Sequence, residues 1–290
     1  MNLKQFLLGT RPKTLVAAVV PVLCAYSLAL YRYEQVSSLY AVLCLLLALC
    51  IQIATNFYND AVDHLKGADN VRVGPRRVST QEKVHYKKVF LIGHLFIALA
   101  IVLGIPLVLK GGIVFVVLGL ISLYFAYGYT GGPFPLAYLG LGELFVFIFF
   151  GVIATLGSYY LMSGTLDYEA GILATQIGLL STTLIAVNNY RDRKTDVLVH
   201  KKTLATKLTS YQYLKLFDVF LFGPYLFILF GMLFFDLKYF FLLFSISLAY
   251  KIRRGLRENT DESELNTFLN LSGKHLILFA TLYVILNLCR

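Results

Sequence analysis

The chain has 290 residues, 58% of them hydrophobic and 14% charged, with a mean hydropathy of +0.71. A water-soluble domain cannot hide that much apolar surface, so the composition describes an integral membrane protein whose first partner is the lipid bilayer. The net charge of +10 would suit nucleic acid, but the lysines and arginines cluster in gaps between apolar runs instead of covering a face, which excludes that reading.

Taken in chain order, the apolar runs fall roughly at 14–31, 39–58, 89–109, 112–129, 141–162, 170–189, 214–234, 237–251 and 270–289. A span needs about 20 apolar residues; the eighth run is the shortest. The first continues past Pro21 without a small-residue cleavage site and reads as a retained helix, not a cleaved signal. Cys24, Cys44, Cys50 and Cys289 lie within or at the end of apolar runs, without metal or disulfide spacing. The expected fold is all-α: a polytopic bundle of nine transmembrane helices in a single domain over residues 1–290, because only helices or closed barrels satisfy their backbone in lipid. A cytoplasmic N-terminus puts all but four of the 26 Lys and Arg (Arg32, Lys110, Lys238, Arg290) in or beside cytoplasmic segments, as the positive-inside rule requires of a multi-pass protein of the cell (inner) membrane. Two cytoplasmic loops are long, about 59–88 and 190–213. Both begin with acids and continue with bases, and chemistry is expected there. Within the first, RRVSTQEKVHYKK reads as a helix start capped near Ser79 or Thr80.

The helix before each long loop ends in a comb of amides and carboxylates. Asn56, Asn59, Asp60 and Asp63 are spaced i, i+3, i+4, i+7; Asn188, Asp192 and Asp196 are spaced i, i+4, i+8. Each set lies on one face of its helix. Acids at a helix C-terminus oppose the macrodipole and are costly there. Two such combs facing one cavity would gather like charges that call for a divalent cation. Oxygen-only ligands suit Mg²⁺, held by a few carboxylates, waters and substrate phosphates. The bases that follow, Lys66, Arg72, Arg76 and Arg77, then Arg191, Arg193, Lys194, Lys201 and Lys202, suit phosphate oxygens. Mg²⁺ and a basic rim at the mouth of a greasy bundle describe a site for a diphosphate on a lipid tail.

NDAVD at 59–63 and DRKTD at 192–196 resemble the two Asp-rich motifs of the UbiA superfamily of membrane prenyltransferases. RPKTL at 11–15, NDAVDHLKGAD at 59–69, YTGGPFPLAYLGLGE at 129–143 and NNYRDRKTD followed by KKTLA resemble, in order and spacing, the menaquinone-forming branch, which prenylates 1,4-dihydroxy-2-naphthoate. The similarity runs over essentially the whole chain. Many superfamily members carry Tyr-x-x-x-Lys on the fourth helix. Here Pro133 stands where that lysine would be, as is typical of the naphthoate branch. His200 stands where a Gly usually precedes the lysine that is here Lys201.

The resemblance implies Mg²⁺-dependent transfer of a polyprenyl group from polyprenyl diphosphate to 1,4-dihydroxy-2-naphthoate, with loss of CO2 and diphosphate, giving demethylmenaquinone. On that basis Asp60, Asp63, Asp192 and Asp196 are expected to bind metal, with Asn59 as a neutral oxygen ligand. Asn56, Lys66, Arg72, Asn188, Arg191 and Lys201 are expected at the diphosphate, and Arg11, Lys13 and Glu143 at the acceptor. An allylic cation needs a dry pocket with aromatic faces, for which Tyr124, Tyr127, Tyr129 and Phe57 lie near the right depth, Tyr129 foremost. Another aromatic acceptor, such as 4-hydroxybenzoate or homogentisate, is the alternative within this chemistry. A cation-coupled transporter could use the same acids, but these sit at helix ends on one side of the membrane, and the comb recurs with the same orientation.

Overall fold

In the computed structural model, which describes residues 1–68, 74–258 and 264–289, helices account for all the regular structure among the described residues. A short helix α1 (Leu3–Thr10) opens the chain, closed at its start by a reciprocal Asn2–Gln5 capping box. The N-x-x-Q pattern was its sequence signal. There follow α2 (Pro12–Arg32), α3 (Ser38–Leu65), α4 (Tyr86–Gly111), α5 (Ile113–Gly128) and the single turn α6 (Leu136–Leu139). Next come α7 (Gly142–Ser163), α8 (Tyr168–Leu198), the single turn α9 (Leu204–Lys207), α10 (Ser210–Phe234), α11 (Ile246–Glu258) and α12 (Leu265–Leu288).

Seven of these, α2, α3, α4, α7, α8, α10 and α12, are long and apolar enough to cross a membrane. The other two expected segments are shorter: α5 has 16 residues, and 237–258 splits into a 3-10 helix (Leu237–Ser245) and the 13-residue α11.

Two helices overshoot furthest what a bilayer needs. At 1.5 Å per residue, α3 with 28 residues and α8 with 31 run about 42 and 46 Å, against about 30 Å of hydrocarbon. The excess carries the two combs clear of the apolar zone. α8 is the most enclosed of the long helices and packs against α7, α10, α12 and α2. Its approach to α7 depends on two bare positions. A Cβ on Gly151 would lie 2.6 Å from the Ala174 carbonyl, and one on Gly178 2.8 Å from the Phe147 ring. Small residues at the crossing let backbones meet where lipid supplies no hydrophobic drive. Phe147–Leu156, opposite, is wound as π-helix.

The end of the bundle away from the combs is tied by its own polar cluster. Arg32 meets Glu169 at 3.6 Å, Glu169 accepts from the Tyr239 hydroxyl, and Tyr31 donates to Asp236 at 3.0 Å. These contacts pin α2, α8 and the 3-10 segment together.

The expected helix start near Ser79 or Thr80 is not formed; α4 begins at Tyr86. The Val78 and Ser79 amides are taken by the Asp60 carboxylate, and Lys83 is left-handed at φ 53, so the segment folds back onto α3 as turns.

Candidate active site

The two overhanging helix ends, the α1–α2 hinge and the 129–141 segment enclose a cavity of about 100 Å³. Its polar wall is formed by Arg11, Asn59, Asp63, Arg77, Tyr129, Thr130, Asn188, Asn189, Arg191, Asp192, Thr195, Asp196 and Lys201. Every carboxylate there faces a base. Asp63 meets Arg77 at 3.6 Å, Asp192 is held by Arg191 through two bonds of 2.7 Å, and Asp196 accepts from Lys201 at 3.3 Å. Asp196 is 6% exposed and its Oδ2 has no hydrogen-bond partner among the described residues.

The first comb divides. Asp63 and Asn59 reach the cavity; Asp60 and Asn56 do not. Asp60 accepts from the Val78 and Ser79 amides, both at 2.8 Å, which engages both its oxygens and holds the loop bearing Arg77. Asn56 donates to the Thr10 carbonyl (2.9 Å) and to Thr14 Oγ1 (3.0 Å). It thereby fixes the hinge at Arg11, whose left-handed backbone (φ 48) separates α1 from α2. α3 ends at Leu65, and just beyond it Gly67 turns at φ 70, with the Ala68 amide donating to the Asp63 carbonyl.

The second comb stays together: Asn188, Asp192 and Asp196 all line the cavity. His200, in the place of the expected glycine, keeps the left-handed backbone (φ 56) that a glycine would favour there.

The 129–141 segment bridges the combs. Thr130 donates to Asn59, Lys66 Nζ donates to the Thr130 carbonyl (2.7 Å), and the Tyr138 hydroxyl donates to Asp63 (3.0 Å). Lys66 also lies 3.8 Å above the Tyr138 ring. On the other side the Lys202 amide donates to the Tyr138 carbonyl. Gly140, φ 80, brings its backbone so near that a Cβ would stand 2.7 Å from the Lys202 carbonyl. Burial works against the Lys201 ammonium, but the carboxylates of Asp196, Asp63 and Asp192 overcome it and hold it above the ordinary lysine value. Lys66 is held below that value by partial burial; Asp63 opposes the shift and Lys201 adds to it.

Of the residues expected at the acceptor, Arg11 lines the cavity, Lys13 is exposed and outside it, and Glu143 is buried behind the wall. Arg72 and Asp69 lie outside the described residues. Of the four candidate rings only Tyr129 borders the cavity. Phe57 is buried against Phe6, while Tyr124 and Tyr127 are exposed. The sequence reading did not single out Tyr138, Thr130 or Asn189, and it named Arg77 only as one of several bases. For Asn189 the Asn-Asn doublet was the available signal; for Tyr138 there was none.

In chemical terms the cavity offers hard oxygen donors on two helix ends, interleaved with cations that can leave them for phosphate oxygens.

Comparison with known proteins gives a consistent result. The model of the UbiA prenyltransferase family matches residues 18–273. The chain is 35% identical over 204 residues, 70% of each chain, to the 1,4-dihydroxy-2-naphthoate octaprenyltransferase of Mycobacterium tuberculosis. It is 35% identical over 217 residues to that of Escherichia coli, covering 71% of this chain and 68% of the relative. Among solved structures, a UbiA homolog from Aeropyrum pernix superposes with TM-score 0.72 at 14% identity, over 93% of this chain and 97% of the other. One from Archaeoglobus fulgidus bound to DMAPP and Mg²⁺ gives 0.70 at 15% identity over 98% of each.

Proposed function

The chain belongs to the UbiA prenyltransferase family, as a multi-pass membrane aromatic prenyltransferase, and on that premise we propose that it transfers a polyprenyl group from polyprenyl diphosphate to 1,4-dihydroxy-2-naphthoate. The allylic carbon–oxygen bond breaks as the ring carbon forms its bond to the prenyl carbon. Diphosphate leaves, and CO2 departs leaving its electron pair in the ring, giving the hydroquinone demethylmenaquinol, which becomes demethylmenaquinone on later two-electron oxidation outside this site. The combs face the cytoplasm of the cell membrane in this reading, which the lysine and arginine distribution supports.

The observation that carries this reading is the paired wall: Asp63–Arg77, Asp192–Arg191 and Asp196–Lys201 around one cavity. The three pairs are neutral by themselves, yet they can exchange partners with a metal–diphosphate ion pair, the acids turning to the cation and the bases to the phosphates. Mg²⁺ fits the donors: they are carboxylate and amide oxygens, and Asp196 Oδ2 is buried without a partner. Among the described residues no three His, Cys, Asp or Glu are already gathered round a metal position, which suits an ion held by a few carboxylates, waters and substrate phosphates. Asp63, Asp192, Asp196, Asn59 and Asn188 would hold it, and when bound it supplies Lewis-acid neutralisation of the leaving diphosphate.

The chain's own groups do the rest. Arg77, Arg191 and Lys201, which line the cavity, take the diphosphate oxygens, and Lys66 adds its charge from behind the Thr130 carbonyl. Asp60 keeps Arg77 in place through the 78–79 amides. Arg11, at its hinge, takes the acceptor's carboxylate, and Tyr129 offers a ring to the cationic prenyl carbon. The test is an assay of purified protein with Mg²⁺, polyprenyl diphosphate and 1,4-dihydroxy-2-naphthoate. Demethylmenaquinol is expected, recovered as demethylmenaquinone after oxidation by air. Turnover of 4-hydroxybenzoate but not of the naphthoate would overturn the acceptor assignment.

A further inference from the structure

Glu143 begins α7, is 2% exposed and stands outside the cavity. Its Oε1 accepts from Asn189 Nδ2 at 2.9 Å and from the Tyr213 hydroxyl at 2.7 Å. Its Oε2 has no hydrogen-bond partner among the described residues. Tyr213 is itself fixed, stacked on Tyr190 at 5.8 Å with the rings 3° from parallel. A buried carboxylate without a cation is costly; its place in the first turn of α7 offsets part of that cost, and among the described residues it forms no ion pair.

Its effect falls on Asn189. An ionised carboxylate only accepts hydrogen bonds, so Asn189 must turn its NH2 group to Glu143. That fixes the amide's other end. Asn189 lines the cavity, and its Oδ1 meets no protein donor among the described residues. Tyr129 shares this corner: a Cβ on Gly142 would stand 3.1 Å from the Tyr129 hydroxyl and 3.9 Å from Asn189 Nδ2. The carboxylates elsewhere on the wall already face Arg77, Arg191 and Lys201. Asn189 Oδ1 is therefore a neutral acceptor at this corner of the wall, held in place by Glu143 and open to a substrate donor.

We propose that Glu143 is a positioning residue which, through Asn189, presents an amide oxygen beside Tyr129 to a ring hydroxyl of the aromatic acceptor. The proposal rests on the prenyltransferase reading above. It gives the site a reason to prefer hydroxylated rings. A site built around a hydrogen bond rejects the analogue that lacks it, because the site's own polar group is then left unpaired. The bond also draws on the ring oxygen where positive charge develops during attack.

The experiment compares Glu143→Leu, Asn189→Leu and the double variant in the assay above, with 1,4-dihydroxy-2-naphthoate and its mono-O-methyl ethers as acceptors. Each single variant should raise KM for the acceptor about tenfold and leave KM for polyprenyl diphosphate within about twofold. Each should also narrow the preference for the free hydroxyl over its methyl ether. The double variant should be no worse than either single one, because both remove the same contact. Glu143→Gln, whose amide oxygen can accept the same two bonds, should restore most of the loss. Additive losses, or equal rises in KM for both substrates, would overturn the proposal. If Glu143→Leu does not fold, Asn189→Leu alone decides, since unchanged discrimination against the methyl ether would overturn it. A wild type inert with every hydroxylated ring would sink the prenyltransferase reading itself, and that failure is distinguishable because it precedes any variant.

Discussion

The two acidic helix ends look alike in sequence but behave differently. In α8 the residues at 188, 192 and 196 all border the cavity; in α3 the four polar residues split into two pairs. The helix repeat explains this. Successive residues are about 100° apart, so Asn59 and Asp60 point to different sides although both belong to one broad face. The ridge 59–63 looks into the cavity. The ridge 56–60 looks backwards, where it holds the Arg11 hinge and the 78–79 turn. In α8 a single i, i+4, i+8 ridge drifts by only about 40° per step and stays on the wall. One comb is thus half scaffold, and the other is wholly cavity wall. A shared face is a weaker statement than a shared direction.

This difference can be broken or sharpened by substitution. The largest effect should come from the second comb: Asp192→Asn should lower turnover about 10³-fold while the thermal midpoint stays near that of the wild type. A retained rate would remove Asp192 from the chemistry. Next, the halves of the first comb should separate. Asp60→Asn should cost about 2–3 kcal/mol of stability, because one of its two buried amide donors loses a charged acceptor. Its Mg²⁺ activation curve should not shift. Asp63→Asn should show the reverse, a shifted curve with a smaller loss of stability. If the two variants give superimposable Mg²⁺ curves, the division fails.

A smaller effect concerns Lys201. Its folded value is raised above the ordinary 10.5. Its stabilisation is therefore fully present below that ordinary value and is lost as pH rises through the folded one. Lys201→Met should lower stability at neutral pH by about 1–2 kcal/mol, less than for a fully buried pair, and flatten the alkaline fall of the melting temperature. The smallest belongs to the turn after the second comb. His200→Gly should stabilise by up to about 1 kcal/mol, since it relieves a left-handed side chain; a destabilised variant would mean the imidazole makes a contact of its own.

Much of the fold could be read from the chain. Apolar runs of span length, bases gathered between them and two acidic combs followed by bases were sufficient for a helical membrane bundle with an ionic mouth. The site could be read only in outline. Asn189 differs from Asn188 by one position and about 100° of helix, yet it meets Glu143, 46 residues away. Tyr138 carries no charge and sits in a segment that reads as loop, yet it joins Asp63, Lys66 and the 201–202 backbone. The turn at 78–83 looked like a helix start because local capping signals do not register a carboxylate arriving from α3.

By itself the sequence determined which surfaces must lie in lipid and which helix ends carry acids and bases, because hydropathy and helical spacing are local properties of the chain. Tertiary structure alone decided which of those groups line the cavity and which hold the scaffold. Asp60, Asn56 and Glu143 are settled by partners from distant segments, since a buried polar group goes wherever its hydrogen bonds can be completed.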